Sequence, residues 1–291
     1  MPLAIGVDVG GTKVAAGVVD DDGRLVAETR CETPSESDTV LDAVVSVVSE
    51  LRDGRDVEAV GVGVAGYVDA ERSTMLFAPN LPWENVPVRA RLEDALGCAV
   101  VVENDANSAA WAEYRYGAGQ GEPDLVCLTV GTGIGCGIVL DGVLYRGRFG
   151  IAGEPGHVCV ERGGVPCGCG NEGCLEQYAS GTALSRYASG RSGEAVTAAA
   201  RGGEREAVAA FARVGMWLGR GLADLAAVLD PGLFVIGGGV ADAGELLLGP
   251  TRESFAASLS GAAHRPHADV RLAALGNTAG LVGAADLARS R

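Results

Sequence analysis

Lysine is almost missing from this chain: Lys13 is the only one, and the remaining cations are arginines. Basic residues as a whole are outnumbered, 23 against 38 acidic ones, for a formal charge of −15. A field of that sign repels polyanions, which excludes nucleic acid and anionic membrane surfaces as partners. It repels a nucleotide triphosphate as well, so such a ligand needs local compensation from Mg²⁺, backbone N–H groups or a placed cation. No apolar run is long enough to span a bilayer. No secretory leader is visible either, since Met1 and Pro2 run directly into Leu3-Ala4-Ile5-Gly6-Val7, too short for an h-region and without a basic start. The expected compartment is therefore the cytoplasm, where eight cysteines read as reduced thiols or metal ligands rather than disulfides. A Walker A sequence is also lacking, which argues against a P-loop fold. Gly61-Val62-Gly63-Val64-Ala65-Gly66 spells GxGxxG after a strand, but no helical pattern opens there, so a Rossmann site is not expected.

What is present is a core-forming chain of 291 residues, 47% hydrophobic, enough for one large domain or two medium ones. The start reads as a β-meander: Ala4 to Val9, a glycine turn at Gly10-Gly11-Thr12-Lys13, Val14 to Val19, an Asp-Gly turn, and Leu25 to Thr29. Asp38 is placed to cap a helix carrying Leu41, Val44, Val45, Val48 and Leu51 at helical spacing. Strands follow at Val57 to Val64 and Cys98 to Val102, the latter running into Glu103-Asn104-Asp105-Ala106, with a helix from Ser108 to Tyr116. The opening order then returns: Leu125 to Val130, a turn at Gly131-Thr132-Gly133, Cys136 to Leu140, Asp141-Gly142, and Val143 to Tyr145. Thr12 and Thr132 hold matching places 120 residues apart, which reads as an internal duplication of two α/β halves. A helical region from Glu204 to Leu229 is expected to be broken by its glycines at 215, 219 and 221. Leu233 to Ile236 is a buried strand ending in Gly237-Gly238-Gly239, and the tail from Asn277 to Arg289 is helical. No Pro- or Ser-rich linker separates the halves, so they should pack around a cleft.

Backbone N–H groups hold phosphate oxygens where a chain turns without side chains in the way. The two glycine turns offer this, the first with a hydroxyl and the lone ammonium of Lys13 added, a compact charge that arginine does not reproduce. Asp8, ending the strand before the first turn, suits a metal ion directly or through water.

His157, Cys167, Cys169 and Cys174 fall within 18 residues. One imidazole and three thiolates make a closed tetrahedral zinc set, with Cys159 as a possible substitute ligand. Such a zinc would be structural, tying down a Gly-rich loop with little core of its own. Its four protein ligands leave no open position for water, which counts against a zinc hydrolase. If one His157 nitrogen takes the metal, the other is fixed in direction and free to bond a ligand. Cys31, Cys98, Cys127 and Cys136 lie in or beside strands and read as packing residues. Asn104 and Asp105 stand at a strand-to-helix junction, where a carboxylate can accept the proton of an attacking hydroxyl. Glu154 lies three residues before His157, and Glu176 two after Cys174, so a zinc-pinned loop would draw both toward one place.

Taken together, these segments resemble the ROK family of bacterial sugar kinases and repressors, most closely its glucokinases, along the whole chain. Ile5 to Lys13 is similar to that family's first phosphate motif, and Glu103-Asn104-Asp105-Ala106-Asn107 to its sugar and catalytic motif. Thr129 to Gly137 resembles the second phosphate motif, with Cys136 where a glycine is expected. Glu154-Pro155-Gly156-His157 and Cys167 to Glu176 match the signature with its zinc site.

The resemblance implies an actin-like ATPase (ribonuclease H-like) fold, two α/β lobes around a central cleft. Residues 1–118 with 278–291 would form the small lobe, and 119–277 the large lobe with the zinc loop. It implies Asp105 as general base, and Asn104, Glu154, His157 and Glu176 as sugar holders with Gly66 and Asn80 lining the pocket. Asp8, Gly10, Gly11, Thr12, Lys13, Thr132 and Gly133 would handle Mg-ATP, with Gly238 and Gly239 near the adenosine. The cofactors implied are ATP, Mg²⁺ and structural Zn²⁺, in a homodimer or homotetramer. Glucose is the expected substrate. Fructose, allose and N-acetylmannosamine share the hydroxyls these motifs contact and are the alternatives. A sugar-binding repressor without chemistry is disfavoured by net charge and by the absence of room for a winged helix before Asp8.

Overall fold

The computed structural model describes residues 3–290; the expected leaderless start at Met1 and Pro2 lies outside them, as does Arg291. The chain opens with β1 (Leu3–Val9), β2 (Lys13–Val19) and β3 (Leu25–Glu32), then α1 (Ser37–Arg52) and β4 (Val57–Val64). Three short strands follow, β5 (Tyr67–Val68), β6 (Met75–Phe77) and β7 (Glu84–Val86), before α2 (Val88–Leu96), β8 (Ala99–Asn104) and α3 (Asp105–Tyr116). The second half brings β9 (Leu125–Val130), β10 (Ile134–Leu140) and β11 (Val143–Tyr145), then α4 (Glu176–Ala179), α5 (Gly181–Tyr187), α6 (Gly193–Arg201) and α7 (Arg205–Leu229). It closes with β12 (Leu233–Gly237), α8 (Glu245–Ser258), β13 (Asp269–Leu272) and α9 (Ala279–Arg289).

Two five-stranded sheets carry one topology. The first has the order β3-β2-β1-β4-β8 and the second β11-β10-β9-β12-β13. In each the three meander strands are antiparallel and the next two join in parallel. The repeated order read in the sequence is thus a repeated sheet. Between the sheets lie α3 and α9. Helix α9 seats against β1 and β4 because both strands carry a glycine beneath it. A Cβ on Gly6 would stand 1.8 Å from the Leu281 carbonyl oxygen, and one on Gly61 1.8 Å from that of Ala284. Helix α3 takes the equivalent seat on β10, where Cβ atoms on Gly135 and Gly137 would meet Ala106 and Ala110 at 2.8 and 2.4 Å. On the outer face of the first sheet α1 buries Val40, Leu41, Val44, Val47, Val48 and Leu51. Among the described residues no helix is long and apolar enough to cross a membrane.

Several local expectations need correction. Asp38 does not cap α1: Glu36 holds that position, and Asp38 sits in the first turn paired to Arg91 at 2.8 Å. Helix α3 starts at Asp105 rather than Ser108, because Asn104 caps it by accepting the Asn107 N–H. In the tail, residues 276–278 form a single 3-10 turn and the helix proper begins at Ala279. Helix α7 runs unbroken for 25 residues. Its glycines are contact points, not breaks: a Cβ on Gly215 would press on Pro250 at 2.8 Å, and one on Gly219 would lie 2.4 Å from the Thr251 carbonyl oxygen.

Candidate active site

The first glycine turn closes through the Gly10 N–H donating to the Lys13 carbonyl at 3.0 Å. Thr33 splints it from the end of β3: its hydroxyl donates to Gly10 O at 2.7 Å and its N–H to Thr12 O at 3.1 Å. Gly11, Thr12 and Lys13 are left exposed. Asn80 lies against this turn, its Cβ 2.9 Å from where a side chain on Gly11 would begin. The second turn closes through the Gly131 N–H and Gly133 O at 3.0 Å and is splinted in the same way, by the Thr182 hydroxyl donating to Thr132 O at 2.8 Å. Cys136, in place of a glycine, is buried in the core beneath β10 and leaves this turn closed.

The end of β12 is drawn onto the second turn. Val240 donates to Val130 O at 3.0 Å, and Gly238, at φ +84°, passes so close that a Cβ would meet that oxygen at 2.5 Å. Gly239 next to it is exposed. A cavity of about 540 Å³ opens here, lined by Thr132, Gly181, Thr182, Ser185 and Arg186 among others. Thr33, Thr182, Ser185 and Arg186 belong to no motif, and nothing in the sequence singles them out.

Asp105 is the first residue of α3, its carboxylate facing the helix N-terminus. Burial holds its carboxyl above the ordinary value, opposed by the backbone N–H groups of Ala106 and Asp105 itself. Next to it Asn104 donates from Nδ2 to the Gly66 carbonyl at 3.1 Å, which joins these two expected pocket residues. Asp8, at the end of β1, is pushed up to about 6 by burial and by the charge of Asp105, with Lys13 pulling it down.

The acidic set continues across to the second sheet. Glu154 is raised chiefly by burial, with His157 opposing and with Asp105 and Glu176 adding repulsion. Its Oε2 stands 3.9 Å from His157 Nε2. Glu176 accepts the Ile134 N–H at 3.0 Å and fills the space a side chain on Gly133 would need. One continuous series therefore links the first turn to the second: Asp8, Asp105, Glu154, Glu176. Tyr67 also senses Glu154 and Cys169, its hydroxyl raised mainly by burial; no pattern in the sequence points to it.

His157, Cys167, Cys169 and Cys174 offer ligand atoms all within 4.8 Å of one another. Four ligands about 2.3 Å from one tetrahedral ion stand roughly 3.8 Å apart. The Cys169–Cys174 Sγ separation and the Cys167 Sγ–His157 Nδ1 separation are both 3.6 Å, so the donor set fits zinc. With Nδ1 toward the cluster, His157 keeps Nε2 for the Glu154 side. Cys159 is exposed and stays outside the four: it pairs by backbone with Cys174 instead. Cys127 and Cys136 are buried, and Cys31 and Cys98 pack at the edge of the first core.

A ROK family model matches residues 4–291. The glucokinase of Streptomyces coelicolor is 47% identical over 311 aligned positions, covering 99% of this chain and 98% of that protein. The crystal structure of a ROK family glucokinase from Streptomyces griseus in complex with glucose and AMPPNP matches with a TM-score of 0.91 at 50% identity, over 99% of this chain and 100% of that one. The ROK hexokinase of Thermus thermophilus matches with a TM-score of 0.84 at 39% identity, over 99% and 98% of the two chains. The two repeated sheets around α3 and α9 are accordingly an actin-like ATPase fold. Matched from end to end by the family model and by these relatives, the chain belongs to the ROK family.

Proposed function

We propose that the protein is an ATP-dependent glucokinase that phosphorylates glucose at its 6-hydroxyl. The observation that carries this reading is Asp105, a half-buried carboxylate at the head of α3, within electrostatic reach of Asp8 on one side and Glu154 on the other. Similarity to glucokinases over the full length supports glucose over fructose, allose and N-acetylmannosamine.

In this reading Asn104, Glu154, His157 and Glu176 hold the sugar hydroxyls, with Gly66 and Asn80 at the pocket wall. Asp105 takes the proton of the hydroxymethyl oxygen as that oxygen attacks the γ-phosphorus of ATP in line and the bond to the leaving ADP breaks. Gly10 to Lys13 and Thr132-Gly133 direct backbone N–H groups at phosphate oxygens, and Gly238, Gly239 and the cavity beside Thr182 receive the adenosine. Mg²⁺ bound with the nucleotide would supply the charge that offsets what develops on the phosphoryl group. Asp8 fits that ion: a carboxyl held up to about 6 by burial and by a second acid is a site that gains from a divalent cation. The His157–Cys167–Cys169–Cys174 set holds a structural zinc. Residues 1–118 with 278–291, and 119–277, act as two lobes whose closure excludes water. We place the enzyme in the cytoplasm as a homodimer or homotetramer.

The test is coupled ADP release across a hexose panel, with and without Mg²⁺. Mg²⁺-dependent turnover with kcat/KM highest for glucose is expected. Another hexose leading the panel would reassign the substrate, and no turnover on any would overturn the kinase reading.

A further inference from the structure

We propose that Arg146 is a positioning residue for Asp105, acting through the buried carboxylate of Glu103. This rests on the kinase reading and adds to it a cross-sheet support for the base. Glu103, the residue before Asn104, is 1% exposed and bonds to two guanidinium groups, Arg72 Nε at 2.9 Å and Arg146 Nε at 2.8 Å. The same carboxylate accepts the Asn104 N–H at 2.9 Å and Asn107 Nδ2 at 3.0 Å. Those two partners flank Asp105 in sequence, so the place of Glu103 sets the backbone that carries the base and the Asn104 amide.

Arg146 reaches this carboxylate from the other sheet, directly after β11. Its terminal nitrogens donate to Ala70 O at 2.9 Å and Asp69 O at 2.8 Å. One planar group thus joins three segments: the end of β8, the loop after β5, and the tail of β11. A guanidinium fork can satisfy these directions at once, and an ammonium cannot. Arg72 remains to neutralise Glu103 when Arg146 is replaced, so a variant loses direction at the carboxylate without leaving an unpaired buried charge. Arg146 also lines a cavity of about 560 Å³, which gives a small solute access to the space a shortened side chain leaves.

The experiment compares Arg146→Met and Arg146→Lys with wild type on glucose and Mg-ATP. A misplacement of the base on the ångström scale lowers kcat by about 10–100-fold, with KM for ATP within about twofold. Added guanidinium chloride at tens of millimolar should restore part of kcat in Arg146→Met, and none in Asp105→Asn. In a double-mutant cycle with Glu103→Gln the two losses should not multiply, since both break one link. Wild-type kcat in both Arg146 variants, or losses that multiply fully, overturns the proposal. If Arg146→Met fails to fold, Arg146→Lys carries the same test. Wild type inactive on every hexose would instead remove the kinase reading. Amide hydrogen exchange across residues 103–107 would then decide the clamp alone: faster exchange in the Arg146 variants supports it, and unchanged exchange rejects it.

Discussion

The charge of Asp105 at the head of α3 reaches Asp8 at the end of β1, and with burial as the larger cause it pushes the Asp8 carboxyl up to about 6. Lys13 opposes this and only partly offsets it. Relative to the unfolded chain, the ligand-free fold therefore favours the protonated form of Asp8. That contribution to stability is complete below about pH 4 and is lost as pH rises through about 6. Above that, holding the carboxylate costs up to about 3 kcal/mol, at 1.36 kcal/mol per pH unit. A cation bound there, as proposed, would reverse the preference.

Asp8→Asn should accordingly raise the melting temperature of the ligand-free protein at pH 8, and the gain should fade near pH 4. The same variant should lose the extra stabilisation that Mg-ATP gives wild type. Thermal melts at both pH values, with and without Mg-ATP, measure this. An Asn variant that melts below wild type at pH 8 would show that the ionised group is well accommodated after all.

Asp105 is raised by burial against the pull of two backbone N–H groups. A base must be ionised to work, so turnover should fall with decreasing pH through a value above that of a free aspartate. Asp105→Asn keeps the shape of the side chain and should lower kcat by about 10²–10⁴-fold. Glucose affinity should change far less, since the other sugar-holding groups remain. Steady-state kinetics and calorimetric binding on the same preparation separate the two quantities.

How much of this was legible depended on how far each signal reached along the chain. The two meanders, their glycine turns and the His157-to-Cys174 cluster are built from neighbours in sequence, and the pattern alone located them. Strands β5 to β7 are two or three residues long and too short to show alternation. Gly215, Gly219 and Gly221 read as breaks in α7 because what they pack against, Pro250, Thr251 and Leu175, lies more than 30 residues away in either direction. Glu103 stands out in the sequence only as part of a motif. Its guanidinium partners stand 31 and 43 residues away, beyond the reach of any periodicity.

The proposed zinc has consequences for the sugar more than for the nucleotide. His157 would be one of its four ligands, and Glu176 follows Cys174 closely while also bonding Ile134. Chelation, or Cys167→Ser, should lower the melting temperature by roughly 5–10 °C. It should raise KM for glucose more than KM for ATP. Metal analysis of the native protein should find one zinc per chain, and none would reject the assignment.

Glycine-to-alanine substitutions test the packing of α7 against α8, because helix propensity and contact geometry disagree about their sign. Propensity alone favours alanine by about 1 kcal/mol in a helix interior. At Gly219, however, a new Cβ would stand 2.4 Å from the Thr251 carbonyl oxygen and 2.6 Å from the Phe255 nitrogen, both backbone atoms of α8. A helix must shift to admit it, and overpacking of that kind costs about 1–3 kcal/mol. Gly219→Ala should therefore melt below wild type. The variant should leave kcat of the folded protein unchanged. If it stabilised the protein instead, α8 could not lie against α7 at Gly219, and the glycine would be an ordinary weak point in a helix.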